Sequence, residues 1–427
     1  MKPYDSYNNC DLNWMSCIPS QWELIPFGRL FSIKKDISGT LGQDVLSVTQ
    51  NGIRIKDISN NEGQIAQDYS KYQLVSPGDF IMNHMDLLTG YIGISDYSGV
   101  TSPDYRVFKS VSEKVDSRYY LYVFQLCYKR KIFYGLGQGV ANKGRWRLPA
   151  DQLKRFLVPL PSVSEQRKIV SFLDKRIVDI NNLIDNKQQE IEKLHLAKQN
   201  IIYSAVTHGI RPNRALKPCD LLWVKEVPQD WRIERLKVSL SERKESYNPS
   251  EELIILSLLK ERGVIPYAEK GNIGNKSKDD LSQYKVARRG DLVLNSMNII
   301  IGSVGVSEYD GYISPAYYTF MPKDGVNIHY FEYILKLTSV QKTIRTKAKG
   351  IMEIRLRISS YDLLSMSFPL PSYDEQDEIV GYLNERCSLI DKYISGIEQE
   401  ISKLKDYSSR LISDVVTGLV NVQDEIA

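Results

Sequence analysis

The sequence predicts an α+β fold: two similar mixed α/β domains separated by two long helices that pair as an antiparallel coiled coil, a pseudo-twofold internal repeat. Two observations carry this. Residues from about Cys10 to Val206 return about 210 positions later, from Cys219 to Val416. A period this long marks a duplicated domain with its connector, whereas solenoid repeats run to about 20–50 residues. Within each copy, strand-like runs then give way to a sustained heptad pattern.

Each copy opens on the same segment. Cys10-Asp11-Leu12, Trp14, Pro19 and Trp22 return as Cys219-Asp220-Leu221, Trp223, Pro228 and Trp231. Strand-like runs follow at Val45–Val48, Asp79–Met82 and Tyr91–Ile94, and in the second copy at Ile254–Leu258 and Asp291–Leu294. Gly78-Asp79, Asn83, Met85, Gly90, Gly93, Gly99, Ser102-Pro103 and Tyr105 return as Gly290-Asp291, Asn295, Met297, Gly302, Gly305, Gly311, Ser314-Pro315 and Tyr317. Pro159-Leu160-Pro161 and Pro369-Leu370-Pro371 are expected to stop the domains, since proline neither continues a strand ladder nor sits inside a helix.

A long helix is expected after each Pro-Leu-Pro. Ser164 is the expected N-cap with Glu165 in the first turn, and Asp374-Glu375 is the counterpart. Apolar residues then recur at spacings of three and four. They are Val170, Leu173, Ile177, Ile180, Ile184, Ile191, Leu194 and Ile201 in the first helix. In the second they are Val380, Leu383, Ile390, Ile394, Ile397, Ile401, Leu404, Leu411 and Val415. This is a coiled-coil seam of roughly 40 residues, about 60 Å long. An offset of 210 is a multiple of seven, so both helices keep one register. Lys187, Lys198 and Ser408 interrupt the seam. The alternative is that each helix packs on its own domain. The boundaries expected are 1–162 and 209–372 for the domains, 163–208 and 373–420 for the helices, and 421–427 for a tail.

At 427 residues each copy is large enough to bury its own core. The sequence has no apolar run long enough to span a membrane, and its N-terminal stretch does not resemble a signal peptide. The five cysteines form no CxxC pair, so neither a zinc ribbon nor a disulfide framework is expected, and a cytoplasmic location fits. The formal net charge of +4 says less than its distribution. Lys129, Arg130, Lys131, Lys143, Arg145, Arg147, Lys154 and Arg155 face Asp151 alone, and Lys342, Arg345, Lys347, Lys349, Arg355 and Arg357 face Glu353 alone. Each copy therefore carries a basic patch where phosphates can be neutralised; a merely solvated charged face is the alternative.

Catalytic signatures are missing. No H-E-x-x-H or G-x-S-x-G occurs, and His84, His195, His208 and His329 share no metal-ligand spacing. The stretch Gly271–Ser277 lacks the spacing of a phosphate loop. Asp104 with Glu113-Lys114 hints at a metal-dependent nuclease, but Ala316 replaces the aspartate in the second copy. A duplicated basic module without catalytic apparatus points to recognition. Its rivals are a scaffold displaying two protein-binding domains, and a nuclease or methyltransferase in its own right.

The ordered, doubled motifs resemble the specificity subunits of type I restriction-modification systems. Three carry the likeness. One is Asp-x-x-Trp followed by Ile/Val-Pro-x-x-Trp, at Asp11, Trp14, Ile18, Pro19 and Trp22 and again at Asp220, Trp223, Val227, Pro228 and Trp231. The next is Pro-Leu-Pro-x-x-x-Glu-Gln opening a long helix. The last is a helix end reading Ala205-Val206-Thr207-His208-Gly209 and Val415-Val416-Thr417-Gly418, with His208 as a small departure. The resemblance implies two target recognition domains, each reading one half of a split double-stranded DNA sequence. It implies a coiled coil that sets the spacer and docks two methyltransferase (modification) subunits, with motor-nuclease (restriction) subunits joining them. S-adenosylmethionine, ATP and magnesium would then be bound by those partners, with no cofactor or metal on this chain and no catalytic residue.

Two domains reading different half-sites should share scaffold and differ in readout. The shared glycines, Asp79, Ser102 and Pro103 are therefore expected in turns and packing, and Trp22 and Trp231 in cores. The shared Arg145/Arg355 and Arg147/Arg357 suit phosphate contacts, as do Lys143, Lys347 and Lys349. Unlike loops should read bases: Gln50, Asn51, Arg54 and Lys56 against Lys260, Glu261 and Arg262, and His84, Asp86 and Leu87 against Ser296, Asn298 and Ile299; for any one of them an ordinary surface loop is the alternative.

Overall fold

A computed structural model describes residues 2–50, 52–57, 68–139, 146–271, 280–297, 302–349 and 356–425. The chain divides into two compact units, Met1–Asn186 with Glu400–Ala427, and Lys187–Gln399. Each unit holds one globular part, one end of the first long helix and the opposite end of the second.

In the first unit an antiparallel sheet runs in the order Phe31–Lys34, Arg106–Ser110, Phe80–Met82, Ile92–Ile94. The helix Ser117–Lys129 buries Tyr119, Tyr120, Val123, Phe124 and Cys127, an i, i+3/i+4 stripe. Asp116 caps it by accepting from the N–H groups of Arg118 and Tyr119. Phe124 meets Phe27, Phe31, Phe80 and Phe108 with ring centroids 5.5–5.9 Å apart. Such pairs add about 0.5–1.5 kcal/mol each to the burial of the rings.

The second unit repeats this plan. Its sheet runs Leu240–Glu242, Tyr317–Pro322, Leu292–Asn295, Val304–Val306. Its helix Ile328–Leu335 is capped by Asn327 and buries Tyr330, Phe331 and Ile334. A second sheet, in the order Gly263–Pro266, Ile254–Leu259, Gly311–Ile313, Lys285–Ala287, contains one parallel pair. In the first unit the same region is two smaller sheets, Leu46–Thr49 with Gly52–Ile55 and Gln73–Val75 with Gly99–Thr101. Trp22 and Trp231 are both buried.

The long helices span Val163–His208 and Tyr373–Val416. In the second unit they pair antiparallel: Lys198 Nζ lies 2.6 Å from Asp391, the Tyr393 hydroxyl donates to Glu190 at 2.9 Å, and Gly209 lies against Glu375. Lys198, which breaks the apolar seam, thus has a cross-helix partner. Both units use the same lock. Tyr119 donates to the carbonyl of Val416 at 2.9 Å, and Tyr330 to that of Val206 at 3.2 Å. Each domain helix therefore grips the end of one long helix. The long helices end on Gly209 and Gly418 at φ +76° and +77°, the left-handed turn that glycine permits.

Two expectations need correction. The N-caps are Ser162 and Ser372, whose Oγ atoms accept from Glu165 and Glu375 N–H at 3.2 and 3.4 Å; Ser164 and Asp374 fall inside the first turn. A capping oxygen reaches the N–H three residues on, and the helix begins directly after Ser162. The first proline of each Pro-Leu-Pro also does not stop the ladder, which ends before the second, at Leu160 and Leu370. Pro159 and Pro369 lie within strands Leu157–Leu160 and Ser367–Leu370, paired with Glu23–Pro26 and Arg232–Arg235. Among the described residues each of these sheets has two strands, so a residue lacking N–H can face the open edge.

The doubled Glu-Gln has a structural purpose. Gln166 Oε1 accepts from Asp116 N–H at 2.7 Å while its amide donates to Lys114 and Pro161 carbonyls. Gln376 repeats this with Asn327 N–H and the Pro371 carbonyl. Each ties the start of a long helix to the cap of a domain helix. Glu165 accepts from the Tyr4 hydroxyl at 2.7 Å, and Glu375 from Trp231 Nε1 at 3.0 Å and from Arg214.

Candidate nucleic-acid interface

The unlike loops occupy equivalent hairpins. In the first unit Gln50 sits at the tip between Leu46–Thr49 and Gly52–Ile55; Arg54 lies exposed on the second strand and Lys56, half-buried, follows it. In the second unit Lys260 and Arg262 sit exposed at the tip between Ile254–Leu259 and Gly263–Pro266. Lys260 lies 3.9 Å from Glu261, and Arg262 lies 3.5 Å from the Glu269 carboxylate. Asn51 lies outside the described residues.

Shared glycines let these hairpins lie close on the scaffold. A Cβ on Gly93 would come within 2.9 Å of Ile53, and one on Gly305 within 3.0 Å of Gly263 Cα. A Cβ on Gly99 would meet the Asp44 carbonyl at 2.4 Å, and one on Gly311 the Ile254 carbonyl at 2.6 Å. At Gly99 and Gly311 a side chain would collide with backbone, and at Gly93 and Gly305 its neighbour would have to shift.

The shared arginines also sit alike. Arg147 exchanges two backbone hydrogen bonds with Gln138, at 2.8 and 3.0 Å, and Arg357 does the same with Lys349 at the same distances. Both arginine side chains are exposed, as are Lys347, at the end of helix Thr338–Lys347, and Lys349. Arg357 also reaches Met297 Sδ at 3.2 Å. Lys143, Arg145, Asn298 and Arg355 lie outside the described residues.

In the first unit a cleft of about 760 Å³ brings Lys56 and Arg147 together with Asn83, Asp86, Asp104, Tyr69, Tyr72 and Tyr105. Asn83 Oδ1 accepts from Met85 and Asp86 N–H at 3.2 Å, and Asn295 Oδ1 accepts from Met297 N–H at 3.1 Å, so this shared residue builds a turn. Asp86 accepts from Leu88 and Thr89 N–H and from the Thr89 hydroxyl. Burial raises its carboxyl, but the Thr89 hydroxyl and the backbone donors outweigh this and hold it below the usual range. Burial pushes the Tyr72 and Tyr105 phenols up, with the Asp104 charge adding to it, so both stay neutral donors.

His84 does not line this cleft. Burial, and then the charges of Arg106 and Arg147, bring its ring down to about 4, so it is neutral near pH 7 and adds no cation to the patch. Its carbonyl accepts from Leu148 N–H at 3.0 Å. The tyrosines were not singled out by sequence reasoning. Tyr105 returned as Tyr317 and read as scaffold, and Tyr69 and Tyr72 meet it only through the pairing of Gln73–Val75 with Gly99–Thr101.

Of the seam residues within 177–194 and 390–404, Ile180, Ile184, Ile394, Ile397 and Ile401 are buried, and Ile177, Ile191, Leu194, Ile390 and Leu404 half-buried. Among the described residues no group of three His, Cys, Asp or Glu is arranged to hold a metal ion, and no helix is long and apolar enough to cross a membrane.

One scaffold is thus built twice, with exposed Arg147 and Arg357 at equivalent positions, unlike hairpin tips and paired long helices. Residues 19–193 and 247–403 match the family model described as the type I restriction modification DNA specificity domain. The chain belongs to that family, and it is a DNA-recognition subunit without a catalytic role of its own. It is 22% identical over 435 residues to a Methanocaldococcus jannaschii protein provisionally named the type I restriction enzyme MjaX specificity subunit, covering 95% of each chain. Among solved structures, one chain described under "Structural basis underlying complex assembly and conformational transition of the type I R-M system" is similar with a TM-score of 0.70. It is 17% identical, over 94% of this chain and 99% of that one. The HsdS subunit from Thermoanaerobacter tengcongensis is similar with a TM-score of 0.53 and 17% identity, over 94% of this chain and 98% of that one.

Proposed function

We propose that each recognition domain, residues 1–162 and 209–372, reads one half of a bipartite, asymmetric double-stranded DNA target. The helices 163–208 and 373–420 set the spacer between the half-sites and dock two methyltransferase subunits, with 421–427 as a tail. Motor-nuclease subunits complete the restriction complex in the cytoplasm. S-adenosylmethionine, ATP and magnesium are held by those partners, where adenine methylation and ATP-dependent cleavage take place.

The observation that carries this reading is the pair of equivalent hairpins with unlike tips, Gln50 in one and Lys260–Arg262 in the other. Like scaffolds with unlike tips are what two different half-sites require. On this reading Gln50, Asn51, Arg54, Lys56, His84, Lys260, Arg262 and Asn298 approach bases, where Arg, Asn and Gln pair bidentately with guanine or adenine edges. Lys143, Arg145, Arg147, Lys347, Lys349, Arg355 and Arg357 hold phosphates and fix register.

Methyladenine mapping of cells carrying the wild-type chain, and of cells in which residues 24–155 are exchanged for the matching segment of another specificity chain, tests it. One half of a split motif should change while the other half and the spacer stay. Change in both halves sinks the modular reading, and no motif in either strain sinks DNA recognition.

A further inference from the structure

Asp104 is not needed by the fold. It belongs to the turn Ser102-Pro103-Asp104-Tyr105, where Tyr105 N–H donates to the Ser102 carbonyl at 2.9 Å and Asp104 N–H to Ser102 Oγ at 3.2 Å. The second unit builds the same turn with Ala316. There Tyr317 N–H donates to the Ser314 carbonyl at 2.9 Å and Ala316 N–H to Ser314 Oγ at 3.3 Å. The main chain takes the same course whether or not a carboxylate is present, so the carboxylate is free for another task.

Its surroundings narrow that task. Asp104 is exposed and lines the cleft that also holds Lys56 and Arg147. The side chains of Asn83 and Asp86 in the same cleft are occupied by the protein's own N–H and hydroxyl donors. Among the described residues no donor holds the Asp104 carboxylate. A carboxylate beside two cations repels phosphate, so it opposes binding unless the DNA offers it a donor. In the major groove such donors are the exocyclic amines, N4 of cytosine and N6 of adenine. The repulsion then becomes discrimination, because a base pair presenting an acceptor at that point leaves the charge unpaired.

We infer that Asp104 is a base-reading residue of the first half-site, accepting a hydrogen bond from the exocyclic amino group of a cytosine or adenine. This rests on the DNA-reading function proposed above.

The test is selection from a pool of random duplexes by the full chain in complex with its modification subunits, for wild type, Asp104→Ala and Asp104→Asn. Wild type should enrich a split motif with cytosine or adenine fixed at one position that Asp104→Ala relaxes, by roughly fivefold to 100-fold, while Asp104→Asn relaxes a fixed cytosine and keeps a fixed adenine. Whether cytosine or adenine is lost identifies the amine. All other positions should persist, and binding of random duplex by Asp104→Ala should be unchanged or tighter, which a merely structural role would not produce. Asp104→Ala keeping every fixed base, or losing both halves in parallel, overturns the inference while DNA recognition stands. A wild-type complex that enriches no motif overturns recognition itself, and this inference with it.

Discussion

Replacing Arg147 and Arg357 by alanine, singly and together, asks whether the shared exposed arginines hold phosphates. The fold should tolerate the change, because what anchors each residue is main chain: the paired N–H and carbonyl bonds to Gln138 and to Lys349 survive truncation. A cation that neutralises one phosphate contributes about 0.9 to the slope of log affinity against log salt. Between about 50 and 200 mM salt this amounts to roughly 3.5-fold per contact, and about 12-fold for two. The penalty of each single variant, measured against wild type, should therefore shrink by about 3.5-fold across that range, and that of the double variant by about 12-fold. The assay is fluorescence anisotropy with a cognate and a random duplex, on the full chain with its modification subunits. Phosphate contacts are sequence-independent, so both duplexes should lose affinity together. A loss confined to the cognate duplex, with an unchanged salt slope, would refute the assignment and make these arginines base readers.

Gly311→Ala should lower the stability of the second unit by about 1–3 kcal/mol, because its Cβ would press on the Ile254 carbonyl and on Leu256; a melting temperature equal to wild type would contradict this. Gly381→Ala, in the second long helix with open space around it, should instead raise stability by about 0.5–1 kcal/mol in the same denaturation experiment. The stability of the first unit should fall as pH drops from about 6.5 towards 4. The unfolded chain protonates His84 first, while burial and the neighbouring arginines hold the folded ring neutral down to about 4. His84→Gln should flatten that part of the urea-denaturation profile, and an unaltered pH dependence would show that the ring is not the group responsible.

The plan of this protein is local and therefore legible along the chain. The repeat, the strand runs and the seam of Ile180, Ile184, Ile394, Ile397 and Ile401 all follow from spacing over a few residues, and local periodicity determines which face of a helix or strand turns inward. The glycines at 93 and 305 announced close packing by returning, although not what they pack against. Placement of the helix caps depended on where the preceding strand ends, which moved them from Ser164 to Ser162 and from Asp374 to Ser372. The proline strands depended on having an open edge to face.

Tertiary structure alone decided the membership of the cleft. The Tyr69–Tyr72 pair, Asp104 and Arg147 lie far apart along the chain and converge through strand pairing and the Gln138–Arg147 bridge. It also decided charge. Lys198, a flaw in the seam by sequence, meets Asp391, and His84, a candidate cation by type, is neutral because of what surrounds it. Periodicity is a property of neighbours in sequence, whereas a contact surface and the ionisation of its groups are set by neighbours in space.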